Sequence, residues 1–233
     1  LAVILLSLLF AGAWMTTSAF GQQNPALPSQ QHTSAQALSA VAMETLPPVN
    51  VTALRAEDQA QADRIGPYRY GKTVDTDFSP GRHGTWEQLP SGKWLWRLRI
   101  QSQDAVSLSL GFSRFQLPHG ASLYLHGSGD TVVHGPYTAA DATAGQHWTP
   151  LVRADQLVLE LEVPADRRRA VGLVIDKIVH GYRALPGRGD TAPSKAGSCN
   201  LDAACEEADP WREQVRSVGR YTFESGGATF FCS

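Results

Sequence analysis

No apolar run in this chain of 233 residues reaches the length of about 20 that a membrane-spanning helix requires. Leu1–Trp14 is apolar and uncharged but stops short of it. Neither sign of charge dominates: 20 Lys and Arg against 22 Asp and Glu leave a net charge of -2, which excludes the basic footprint of a nucleic-acid binder. Cysteine is absent from the first 198 residues, and histidine is absent after His180. Neither Cys-x-x-Cys nor His-Glu-x-x-His occurs, so the spacings of common zinc sites are missing. No internal repeat is visible. No cofactor and no metal are expected.

What is present begins with an export signal. Leu1–Trp14 fits the apolar core of a secretory leader, and Ala19-Phe20-Gly21 supplies the small residues read by a signal peptidase. Residues 1–21 are therefore expected to be removed, after Gly21 or after Ala19. The initiator Met and a basic n-region do not precede the run, so the N-terminus is expected to be clipped. Residues 22–65 read as a linker. Gln22–Leu46 is rich in Gln, Ser, Ala and Pro without a sustained period, and Ala53–Ile65 has room for a short helix with a thin alanine stripe.

From residue 66 to 183 the period is two. Lys93–Ser102 alternates cleanly, with Trp94, Trp96, Leu98 and Ile100 on one face and Leu95, Arg97, Arg99 and Gln101 on the other. Shorter alternating runs follow at Val106–Leu110, Leu123–Leu125, Val132-Val133, Leu151-Val152, Leu157–Val163 and Leu173–Val179. Twenty-one Gly and fourteen Pro supply the turns. The expectation is an all-β fold, an antiparallel β-sandwich over 66–183. Arg183–Lys195 is a polar Pro/Gly stretch, and 184–196 reads as a domain linker.

Several residue patterns invite a chemical reading and are better explained by structure. His126-Gly127-Ser128-Gly129-Asp130 has glycines flanking a serine, but it lies between Leu125 and Val132 as a hairpin loop does. His119, His126 and His134 share a metal site only if their strands are adjacent. Trp86, Trp94 and Trp96 are candidates for a sugar-stacking face, but the alternation puts Trp94 and Trp96 on the Leu98 side, in a core. Glu160 and Glu162 alternate with Leu159, Leu161 and Val163, which reads as a solvated strand face.

The last 37 residues, 197–233, are different in kind. They hold all three cysteines, Cys199, Cys205 and Cys232. They contain two strand-like runs, Gln214–Tyr221 and Thr229–Cys232, separated by Glu224-Ser225-Gly226-Gly227. Cys199 and Cys205 are close enough in sequence to bridge each other, which leaves Cys232 alone.

This stretch resembles the start of the mature domain in bacterial secreted serine endopeptidases of the lysyl endopeptidase type. The matching residues are Gly197-Ser198-Cys199-Asn200-Leu201-Asp202, Cys205, Asp209-Pro210-Trp211-Arg212, Arg216-Ser217-Val218-Gly219 and Phe230-Phe231-Cys232-Ser233. The resemblance implies a chymotrypsin-like β-barrel of which 197–233 is the truncated beginning. It implies a catalytic His, Asp and Ser beyond Ser233, and disulfide partners for the three cysteines that also lie beyond it. Lys195, two residues before Gly197, and Arg188 are the candidate sites of propeptide cleavage. The expected partners are a protein or peptide substrate for the full-length enzyme, and the leader's own protease domain. No nucleic acid and no stable membrane anchor are expected. The competing expectation is a secreted, non-catalytic β-sandwich that binds carbohydrate or a cell surface.

A serine nucleophile needs a histidine base held by a carboxylate. All seven histidines precede Gly197, so residues 197–233 cannot hold such a triad. The purified chain of 233 residues is therefore expected to leave lysyl and arginyl ester substrates unhydrolysed above background; turnover by a protease-free preparation would refute this.

Overall fold

A computed structural model of the protein describes residues 24–61, 66–129, 132–185, 206–217 and 221–232. The fold is all-β, two sheets enclosing one core. In the first sheet, β4 (Trp94–Gln101), β9 (Gln156–Val163), β6 (Ser122–Gly127) and β7 (Val133–Tyr137) run in that order, each antiparallel to its neighbour. The free edge of β4 is shared. Its first half pairs antiparallel with β3 (Thr85–Gln88), and its second half pairs parallel with β1 (Met43–Thr45). The second sheet has the order β11 (Tyr221–Ser225), β12 (Ala228–Cys232), β2 (Tyr68–Phe78), β10 (Gly172–Gly181), β5 (Ser107–Gln116) and β8 (His147–Trp148).

Alternation puts one face of each strand inward. Trp96, Leu98 and Ile100 of β4, Leu157, Leu159, Leu161 and Val163 of β9, and Leu123 and Leu125 of β6 meet Leu108, Leu110, Phe112 and Phe115 of β5 and Leu173, Ile175 and Ile178 of β10. The last two sets break strict alternation. The pairing of β10 with β5 shifts register between Val174 and Ile175 and again between Ile175 and Lys177. A bulge inserts an extra residue on one strand, so Phe112 and Phe115, like Ile175 and Ile178, are three apart yet all face the core.

The β4 strand is buried on both faces rather than one. Leu95, on its outer face, has no exposed surface, and Arg97 is 2% exposed. The cover is the segment expected to be a linker. In it Leu27 and Val41 are buried. Ser29, in the single-turn helix α1 (Pro28–Gln31), gives Glu160 two hydrogen bonds, from its amide at 2.9 Å and its hydroxyl at 2.6 Å. The Gln36 carbonyl accepts from Arg97 Nη2 at 2.7 Å, and the Val41 carbonyl accepts from Arg99 Nε at 3.0 Å. Glu160 is consequently 2% exposed, not part of a solvated face. Burying charges in this way is tolerated only when they are paired, and Arg97 is also paired with Glu87 at 2.5 Å. Glu162, nearer the end of β9, keeps partial exposure and accepts from Lys93.

The helix expected within Ala53–Ile65 forms as α2 (Val51–Ala60), with Asn50 Oδ1 capping the Ala53 amide at 3.0 Å. Of the strand expected over Gln214–Tyr221, Tyr221 alone among the described residues is in strand. Arg212–Ser217 is helical (α3), behind a turn in which Arg212 pairs with Asp209. Glu, Gln and Arg are good helix formers, and the apolar alternation there is too sparse to override them. Among the described residues no helix is long and apolar enough to cross a membrane.

The core makes a quantitative expectation. Leu159 sits at the centre of β9, fully buried between β4 and β6. Leu159→Ala should lower unfolding stability by about 2–5 kcal/mol, read as a drop in the urea midpoint with little change in slope.

Candidate functional site

The feature that stands apart from the two-sheet core is the edge of the second sheet. Without β11 and β12, the edge strand would be β2, eleven residues long. The hairpin β11–β12 occupies that edge. Its loop is Gly226-Gly227, both with positive φ, at 57° and 73°. Two positive φ values in a two-residue loop are what a type I′ hairpin turn requires, and glycine meets the requirement without strain.

Strand β12 pairs antiparallel with β2. Ala228 faces Lys72 and Thr229 faces Gly71; after a register shift Phe230 faces Arg69 and Phe231 faces Tyr68. The Thr73 amide adds a bond to the Gly227 carbonyl at 3.0 Å. Thr73 and Thr229 put their hydroxyls 3.0 Å apart, both buried. At the turn, Lys177 of β10 lies 3.7 Å from Glu224, which also accepts from the Gly227 amide. Phe223 stacks on Phe230 within the hairpin, centroids 5.4 Å apart.

Between the hairpin and the outer face of the second sheet lies a cavity of about 400 Å3, lined by Tyr70, Ser109, Trp148 and Val179 on one side and Thr222, Phe223 and Thr229 on the other. Tyr70 is 2% exposed. Burial pushes its phenol pKa up, while hydrogen bonds with Thr222 and Ser109 act in the opposite direction. Gly71 lies close against its neighbour β10. A Cβ there would stand 2.7 Å from Val179 Cγ1, so only glycine fits.

A second cluster fixes the end of the domain. Asp58 of α2 accepts from Arg69 Nε at 2.7 Å, from the Tyr182 hydroxyl at 2.8 Å and from Arg183 Nη1 at 3.1 Å. Arg55 reaches the Tyr182 carbonyl at 3.2 Å, and the Arg183 guanidinium lies 4.0 Å over the Tyr68 ring. The Tyr182 phenol is pushed up to about 12, by burial first and then by the bond to the Asp58 carboxylate.

Lys195, Arg188, Gly21, Ala19, Cys199 and Cys205 lie outside the described residues. Cys232 ends β12, opposite Tyr221. His119 is exposed on a turn. His126 contacts the Gly127 carbonyl through Nδ1 at 3.0 Å and stands 4.0 Å from Glu160. The strand register pairs His134 with Leu125, one residue out of step with His126. Among the described residues no cluster of three His, Cys, Asp or Glu is arranged to hold a metal ion. Trp96 is wholly buried, and Trp86 and Trp94 are covered by the Arg168 guanidinium, 4.6 and 4.3 Å from their centroids. Ser128 is in the exposed loop expected for it.

One serine–histidine contact was not foreseen. Ser102 Oγ is 2.7 Å from His180 Nδ1, but both residues are buried, His180 completely. A pair closed off from solvent has no room for a substrate, so this contact is structural. Thr73, Tyr70 and Asp58 were also missed, because each acts through a residue distant in sequence.

Residues 36–182 match the family model of the lysyl endopeptidase N-terminal domain. The chain belongs to that family, and it carries the pro-region of a protease precursor. No solved structure matches the chain. The matched region ends at Tyr182, inside the Asp58 cluster, and the hairpin lies wholly outside it.

His180 makes the domain sensitive to acid. Burial lowers its pKa below 6.5, with Asp104 opposing weakly. The unfolded chain then binds a proton that the folded chain resists, so this contribution is intact above about pH 6.5 and is lost as pH falls toward the lowered folded pKa. Denaturation midpoints measured from pH 7.5 to 5 should fall with pH, and H180Q should flatten that dependence; an equal slope in both proteins would contradict the assignment.

Proposed function

We propose that the chain is the N-terminal part of a secreted serine endopeptidase zymogen. Residues 1–21 direct export, the two-sheet domain is a leader, 184–196 is a linker cut at Lys195 or Arg188, and 197–233 begins a chymotrypsin-like protease domain. The full-length enzyme hydrolyses peptide bonds after Lys through an acyl-enzyme, with its His, Asp and Ser, and the disulfide partners of Cys199, Cys205 and Cys232, downstream. The leader acts as a folding aid, as an inhibitor, or as both.

The observation that carries this reading is the seating of the hairpin. The family match supports a peptidase precursor, and strands described after its end pair with the edge of its sheet. A barrel built from non-local strand pairs folds slowly, because loop closure comes before the contacts that reward it. A preformed strand edge reduces that cost by offering a template for the first hairpin. The Lys preference is supported by the family description and by the position of Lys195 just before the protease-like start.

The test uses the full-length precursor. Uncleaved, it should be nearly inactive on lysyl substrates, and cleavage between Arg188 and Ser198 should release activity. Deleting 66–183 should sharply lower the yield of folded enzyme. Full activity of the uncleaved precursor would remove the inhibitor role, and refolding at a normal rate without the leader would remove the chaperone role.

A further inference from the structure

We infer that the β2 edge is a strand-addition site whose occupant is the hairpin β11–β12, and that this seat holds the hairpin non-covalently after the linker is cut. The inference rests on the zymogen reading for its significance, but its evidence is local. The product of cleavage is then a one-to-one complex of leader and protease-like chain, not two separate molecules.

Three observations carry it. First, the matched domain ends at Tyr182, and without the hairpin its sheet would present β2 as a long unpaired edge. Exposed edges of that length invite pairing with another strand and are normally blunted or covered. Second, the seat has recognition elements beyond backbone pairing. Strand addition gains affinity from main-chain bonds and specificity from places for alternate side chains. Here the Thr73–Thr229 hydroxyl contact is buried, the Tyr70 phenol meets Thr222, and Lys177 faces Glu224. A slip of one residue would turn Thr229 to the other face and break these contacts. Third, each of these contacts joins a residue of the two-sheet domain directly to a residue of the hairpin, so none of them depends on an intact chain through 184–196.

The leader's own geometry supports a fixed receptor. Gly71 lets β2 approach β10 closely, and the Asp58 cluster ties Arg69, the partner of Phe230, to α2. The receiving strand is braced on its far side and at its end before any hairpin arrives.

The experiment uses the whole chain with a unique protease recognition sequence placed within 186–196. After cleavage, the piece containing 197–233 should co-elute with the leader at one-to-one stoichiometry in size exclusion and native mass spectrometry. Amides of Ala228–Phe231 should exchange at least about tenfold more slowly than in the free peptide. The double variant G226V/G227V forbids the hairpin turn without changing a residue of the leader. It should abolish co-elution while leaving the leader's thermal transition in place, and E224K should weaken co-elution. Free elution of the wild-type piece, retention of the G226V/G227V piece as strongly as wild type, or a two-to-two species from exchange between copies would each overturn the inference. Free elution alongside an inactive precursor would sink this seat and leave the zymogen reading standing; co-elution alongside a fully active precursor would do the reverse.

Discussion

The structure depends on the burial of β9. This strand has neighbours on both sides, β4 and β6, and sends Leu157, Leu159, Leu161 and Val163 into the core with no exposed surface. Burying a side chain of this kind contributes about 1.5–3 kcal/mol relative to leaving it in water, and four in one row fix where the opposing sheet must lie. From that contact the rest follows. The β4 strand supports two short strands along its edge, and β5 and β10 take the facing positions, with bulges that bring Phe115 and Ile178 into line. The second sheet held there presents β2 at its boundary.

On the other side of the first sheet the problem is polar. Arg97 and Glu160 are buried and Glu87 is half-buried, and each has a partner supplied within the sheet or by the chain that crosses it. Removing one member would leave the other buried and uncompensated, which costs more than the pair contributes. The N-terminal segment is therefore held by hydrogen bonds to charged groups more than by a broad apolar face. The three tryptophans of this sheet are likewise taken up: Trp96 is in the core, and Arg168 stacks on Trp86 and Trp94.

Much of this was legible in the amino-acid sequence, and the parts that were not share a cause. Period two in Lys93–Ser102 and Leu157–Val163 identifies both runs as strands because their side chains alternate without interruption, while the cover on their outer face has no such signature. The bulges in β5 and β10 were hidden, since an inserted residue looks like noise in the period. The crossing segment reads as linker because its apolar anchors, Leu27, Val41 and Leu46, are isolated, and its carbonyl acceptors leave no trace in side-chain pattern. The strand expected over Gln214–Tyr221 gives way to helix at Gln214–Ser217, where helix propensity prevails. At the candidate site, Gly226-Gly227 announced a turn, but the seat of the hairpin on β2 did not show. Thr73 and Thr229 are 156 positions apart, and pairing over such a separation has no local signature.

The grip of Asp58 on Tyr182 and Arg183 has a consequence for how the two parts of the chain find each other. The last residues of the leader are clamped beside Arg69, on the very strand that receives Phe230. Whatever follows Arg183 thus starts its search from a point next to its destination. Tethering converts a bimolecular encounter into an intramolecular one, and short flexible tethers reach effective concentrations of about the millimolar range. A clamped origin confines that search volume further than a frayed terminus would. Even a seat of modest intrinsic affinity is then filled nearly all the time while the tether is whole, and it becomes responsive to dilution once the tether is gone.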